Sequence, residues 1–147
     1  MTVPRCLLAI ALLFLVAACA SEPAPPRAVI ETASGRVIFR AEIADSDQLR
    51  GRGLMGRERL AEDAGMAFLW DDDTGTAFHM KDTLIPLTVA FFDAEGRILR
   101  LLDMVPCAAD PCPAYDPGVR YRGALEVNAG ALERKGVRTG DRVRIER

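Results

Sequence analysis

The chain has 147 residues with 19 Lys and Arg against 21 Asp and Glu, a formal net charge of −2. So even a balance leaves no basic field to draw in nucleic acid, which is excluded as an expected partner. Beyond residue 27 about 120 residues remain, enough for one hydrophobic core and too few for two.

The first element is an address. Arg5 precedes an apolar run over residues 7–18, the layout of a secretory signal. That run falls short of the roughly 20 residues needed to cross the hydrocarbon core as a helix. Val16, Ala17 and Ala18 stand before Cys19, and this stretch resembles a lipobox. The expectation is a signal peptide over 1–18, removed before Cys19, and lipid on that cysteine. Several acyl chains would hold the protein on a membrane, since each buried methylene contributes about 0.8 kcal/mol. Ala20 follows where Asp would resemble an inner-membrane retention signal, so the expected location faces the periplasm or cell exterior, on the outer membrane in a two-membrane organism. Residues 19–27, with Pro23, Pro25 and Pro26, read as an extended tether. The domain is expected over 28–147.

Short apolar or alternating runs separated by turn residues then predict a mainly β fold, a compact sandwich or small barrel of about seven to eight short strands with one or two short helices. Strands are predicted at 29–32 and 36–43, a hairpin around Ser34-Gly35. Asp45, with Gln48 three positions on, is the expected N-cap of a short helix stopped by Gly51 and Gly53. A strand over 65–70 should end at an acidic turn, Asp71 to Asp73. Strands at 76–80 and 87–92 follow, and the turn Asp93-Ala94-Glu95-Gly96 should fold 87–92 back on 97–105 as a second hairpin. Residues 106–118 read as a proline-rich surface loop. A strand over 119–127 leads to Asn128, the expected cap of a helix at 129–135, and 142–146 closes the chain. The pattern lacks the strand–helix alternation of a parallel βαβ sheet.

Of four cysteines, Cys6 leaves with the signal and Cys19 takes lipid, so Cys107 and Cys112 should pair as a disulfide. So small a loop gains about 2 kcal/mol by chain entropy. Their C-x-x-x-x-C spacing is not that of a thioredoxin motif, and no histidine stands nearby to complete a metal site.

Three segments carry a resemblance. They are Arg52-Gly53-Leu54-Met55; then Gly65-Met66-Ala67-Phe68 with Phe78-His79-Met80-Lys81-Asp82-Thr83-Leu84-Ile85-Pro86-Leu87; and Leu125-Glu126-Val127-Asn128-Ala129-Gly130. In this order they resemble domain-of-unknown-function family 192, here as a secreted lipoprotein member, over essentially the whole domain. The resemblance implies a compact β-rich fold and no established activity. Two positions depart from the family's usual pattern, which has Trp where this chain has His79 and Asn where it has Asp82, so no role resting on that Trp or that amide carries over.

His79, the only histidine, alternates with Phe78 and Met80 and should face solvent if they face the core. With no partner ligands in view, no metal or cofactor is expected. Lys81, Asp82 and Thr83 form a polar cluster at a strand end. Glu126 and Asn128 project to one face beside a helix N-terminus. The bland reading makes Asn128 a cap and pairs Glu126 with Arg50 or Arg52. The functional reading gathers Lys81, Asp82, Glu126 and Asn128 as candidate ligand-binding residues, with no catalytic residue assigned. A non-enzymatic module binding a small polar ligand, a glycan or an envelope protein leads. A cell-envelope hydrolase working through Asp82 and Glu126 and a purely structural domain are the alternatives.

Overall fold

Residues 24–147 are described by the structure, a computed structural model; the expected signal segment, Cys19 and the first part of the tether lie outside them. The first hairpin forms where its turn chemistry placed it. Strand β1 (Arg27–Thr32) pairs antiparallel with β2 (Gly35–Ala44), Thr32 opposite Gly35 and Arg27 opposite Arg40. β1 thus begins on the last residue of the expected tether.

Helix α1 (Asp47–Arg52) is capped by Ser46, whose hydroxyl accepts the amide of Leu49 at 3.3 Å. This corrects the expected Asp45 cap by one residue: Ser46 has the extended backbone that a cap requires. Strand β3 (Ala64–Thr74) then returns parallel to β2, Ala41 opposite Gly65. No parallel pair was expected, because the only helix between them is one and a half turns long. Residues 45–63 nonetheless supply the dozen or more residues that such a crossover needs, mostly as irregular chain. The expected acidic turn is also corrected, since Asp71, Asp72 and Asp73 lie within β3. They are exposed there, and Arg120 and Arg122 from across the sheet bind the carbonyl and carboxylate of Asp73.

The strand expected at 76–80 shrinks to β4 (Phe78–His79), which pairs with β7 (Ala114–Tyr115), a two-residue strand inside the proline-rich loop. β5 (Leu87–Phe92) and β6 (Ile98–Met104) form the expected hairpin, Leu87 opposite Met104. Between them and β7, Cys107 and Cys112 are joined by a disulfide, Cα atoms 5.7 Å apart. β8 (Tyr121–Asn128) runs antiparallel to both β3 and β5. α2 (Ala131–Arg134) follows with Gly130 at its N-cap, not Asn128, and β9 (Arg142–Glu146) pairs with β1.

The seven long strands form one sheet in the order β6-β5-β8-β3-β2-β1-β9. Its two edges meet at one end: Ile98 donates to the Asp141 carbonyl at 2.8 Å and Val143 to that of Gly96 at 2.7 Å. The sheet therefore curls into a half-barrel, the mainly β fold expected. Every residue of β5 is buried, because both faces of the sheet are covered there. One face holds Ile30, Phe39, Ala90, Leu125 and Leu132; the other holds Leu54, Met66, Phe68, Phe91 and Tyr121 under the crossover and the β4–β7 ribbon. Each such side chain contributes about 1.5–3 kcal/mol on leaving water.

Edge-on aromatic contacts order that second face. Phe78 meets Phe91 at 5.2 Å and Phe68 at 5.1 Å, and Tyr121 meets Phe91 at 4.8 Å and Trp70 at 5.3 Å. Such pairs add about 0.5–1.5 kcal/mol each to their burial. The Tyr121 hydroxyl donates to the Thr76 carbonyl at 2.6 Å, and burial pushes its phenol well above the usual range, so it remains a neutral donor.

Candidate functional site

Period-two alternation along β8 puts Ala124, Glu126 and Asn128 on the face that carries the aromatic cluster. Glu126 lies between Met66 of β3 and Val89 of β5 in the register, two of the most apolar neighbours available. It is 5% exposed, no described side chain or amide donates to it, and its carboxyl oxygens are left to face the cavity. Burial alone, with no charge or donor to offset it, pushes its carboxyl up to about 8. The expected ion pair to Arg50 or Arg52 does not form.

Glu126 reaches a cavity of about 290 Å³ between the sheet, α1 and β4. Its walls are apolar: Phe68 and Trp70 from β3, Phe78 from β4 and Leu54 from the crossover. Its rim is polar and exposed: Asp47, Gly51 and Arg52 from α1, Thr76, and His79. Arg50 stands against one wall with two of its guanidinium nitrogens engaged. It donates to the Leu69 carbonyl at 2.6 Å and to Asp47 at 2.6 Å, and it lies over the Trp70 ring, 5.1 Å from its centre. Thr83, 6% exposed, completes the lining with its hydroxyl donating to the Lys81 carbonyl. The group that can act here is therefore a desolvated carboxyl facing rings, in a space suited to a small molecule.

The four residues proposed from sequence separate in the structure. Glu126 lines the cavity; Lys81 and Asp82 do not. Lys81 is exposed and donates to Asp110 in the cystine loop at 2.8 Å, a contact that holds its ammonium pKa above the ordinary value. The backbone of Lys81 also bridges to Cys107, so it belongs with the disulfide. Asp82 turns the chain: its φ of 55° is left-handed, and its carbonyl accepts the Gly56 amide at 2.8 Å. Asn and Asp are the residues that best tolerate that conformation, which gives a backbone reason for Asp where the family usually has Asn. Asn128 donates its side-chain amide to the carbonyls of Leu60 and Ala61 at 2.9 and 3.1 Å, tying the crossover to the sheet.

His79 is exposed between buried Phe78 and Met80, as alternation predicted, yet it stands on the rim of the cavity. Phe68, Trp70 and Phe78 fall in segments that the sequence assigns simply to strands, 65–70 and 76–80. One signal could have singled them out: Met66, Phe68 and Trp70 share a face, and the lone tryptophan of the chain stands where the apolar run becomes acidic.

Residues 20–145 match the family DUF192, described as Uncharacterized ACR. No curated protein matches the chain. Among solved structures, a protein from Sinorhizobium meliloti 1021, provisionally described as a transcription regulator, is 32% identical, with 82% of this chain and 93% of that one covered and a TM-score of 0.76. A protein of unknown function from Novosphingobium aromaticivorans DSM 12444 is 29% identical over 80% of this chain and 83% of that one, with a TM-score of 0.74. The chain belongs to the DUF192 family.

Proposed function

We propose that this protein is an exported, lipid-anchored module that binds a small ligand, without transforming it, in the cavity reached by Glu126. The observation that carries the reading is Glu126 itself. Packing among Met66, Val89 and aromatic rings desolvates this carboxyl at a cost in stability and leaves its oxygens facing the cavity with no protein donor, and such a residue makes sense where something in that cavity completes its bonding. A purely structural domain has no use for it. The hydrolase reading named Asp82 beside Glu126, and Asp82 does not line the cavity; the carboxylate that does, Asp47, is exposed at the rim and paired with Arg50. The Sinorhizobium relative is described as a transcription regulator, but the net charge of −2 gives this chain no overall positive field to draw in nucleic acid.

The address rests on separate grounds. The basic start, the apolar run and the small residues before Cys19 support export and lipidation, and the Cys107–Cys112 disulfide fits an oxidising compartment. Metabolic labelling with a radioactive fatty acid is expected to mark the wild type and not Cys19→Ser; label persisting in the variant sinks the anchor.

The binding reading is checked through Trp70, the only tryptophan, which reports on its own cavity. A screen of small polar compounds and sugars on the full chain is expected to give hits that alter its emission. Those hits should weaken at least tenfold in Glu126→Gln and in Gly51→Phe. The latter places a ring at the mouth, where a Cβ meets nothing within 4 Å. Hits indifferent to both changes place binding elsewhere.

A further inference from the structure

We propose, building on the ligand-site reading above, that the cavity takes a small organic cation, an amidinium, guanidinium or ammonium head on Glu126 with a flat apolar body against Phe68, Phe78 and Trp70.

Three observations select this class. First, the carboxyl of Glu126 has no donor from any described residue, and a ligand that supplies charge and N–H groups together offsets its desolvation best. Second, three aromatic rings, Phe68, Trp70 and Phe78, line the space, and aromatic surroundings favour a cation over an anion. Third, the arginine best placed to hold an anion, Arg50, is already committed to Asp47, the Leu69 carbonyl and the Trp70 face, while Arg52 stays at the exposed rim. A volume of about 290 Å³ fits a single ring carrying its cationic head.

Proton balance makes the idea readable. In the empty protein burial keeps the Glu126 carboxyl protonated up to about pH 8, so an arriving cation sends that proton to solvent as the ion pair forms. Affinity should therefore rise with pH until the empty carboxyl is itself ionised. The charged and titratable groups facing the cavity are Asp47, Arg50 and Arg52 from α1, His79 from β4, and Glu126 from β8. Of these, only Glu126 is buried against both neighbouring strands.

The test is a titration of Trp70 fluorescence in the full chain with benzamidinium, whose charge is fixed throughout, and with its neutral and anionic counterparts benzamide and benzoate. Benzamidinium is expected to bind at least tenfold more tightly than either. Its affinity should rise on the order of a hundredfold between about pH 6 and about pH 9. In Glu126→Gln the pH slope should vanish; in His79→Gln it should remain. Benzamide or benzoate binding as tightly as benzamidinium, still dependent on Glu126, overturns the cation and leaves the ligand site standing. A slope that survives Glu126→Gln or disappears in His79→Gln also overturns it. If benzamidinium leaves Trp70 emission unchanged at every pH the cation falls too, and the broader compound screen then decides the ligand site on its own.

Discussion

Glu126→Gln should make the protein more stable at neutral pH, by about 2 kcal/mol, and leave it nearly unchanged near about pH 4. The folded carboxyl titrates near 8, above its ordinary 4.5. Below the unfolded value both states are protonated and the group costs nothing. As pH rises past it, the unfolded chain ionises while the folded one must keep its proton. Stability then falls by up to about 1.4 kcal/mol per pH unit until the folded carboxyl also ionises near 8. At pH 7 the loss is about 3 kcal/mol, of which burial of the glutamine amide returns a part. Urea denaturation of both proteins at the two pH values checks it. The difference between them isolates Glu126, since the ion-paired Asp63 and Glu146 carboxyls, held below their usual values, lose their support in acid in both proteins alike. Equal stability at neutral pH would mean that the carboxyl is not desolvated as described. A residue that weakens the fold in this way is the kind retained for what it binds.

Gly96→Ala should cost about 3 kcal/mol or more, the largest loss expected from adding one methyl group. Gly96 ends the turn between β5 and β6 with φ of 79°, in the left-handed region. A Cβ there would stand 2.1 Å from the carbonyl oxygen of Val143, a backbone atom that cannot rotate away. The contact lies where β6 and β9 meet, beside the Val143 to Gly96 hydrogen bond at 2.7 Å, so the variant should open the half-barrel at its seam. Denaturant midpoints, with hydrogen exchange of the β9 amides, measure both effects. Gly75→Ala is the control: a Cβ there meets nothing within 4 Å, and a change below about 0.5 kcal/mol is expected. A Gly96→Ala protein with protected β9 amides and an unshifted midpoint would show that the seam tolerates the methyl group.

The two predictions concern the seam and the interior of one sheet and opposite relations to stability. Gly96 is needed for the edges to meet. Glu126 is tolerated by the fold at a cost, on the interior strand β8, where apolar neighbours on both sides desolvate it. The aromatic cluster spans sheet and cavity: Phe91 and Tyr121 hold the sheet face, and Phe68, Phe78 and Trp70 extend it into the cavity wall.

Local chemistry alone determined a good deal of this protein. Turn residues and alternation placed the two hairpins, and β5 and β9 over the residues in which they form, because hairpin pairing is decided by neighbours in the chain. The Cys107–Cys112 bridge followed from spacing and elimination, and the exposure of His79 from alternation. Glu126 was legible as a candidate because it shares a face with Asn128, but its isolation was not. Strands β3 and β5, which flank it, come from segments far apart in sequence, and only their packing withholds every partner. For the same reason the separation of Lys81 and Asp82 from Glu126 was not legible: Lys81 reaches Asp110 in the cystine loop and Asp82 makes a turn, both outside the Glu126 cavity, while Asn128, expected as a cap, ties the crossover to the sheet. The parallel β2–β3 pair, the meeting of β6 with β9 and the cavity itself were decided by tertiary structure, since each depends on contacts between distant segments that no local pattern specifies.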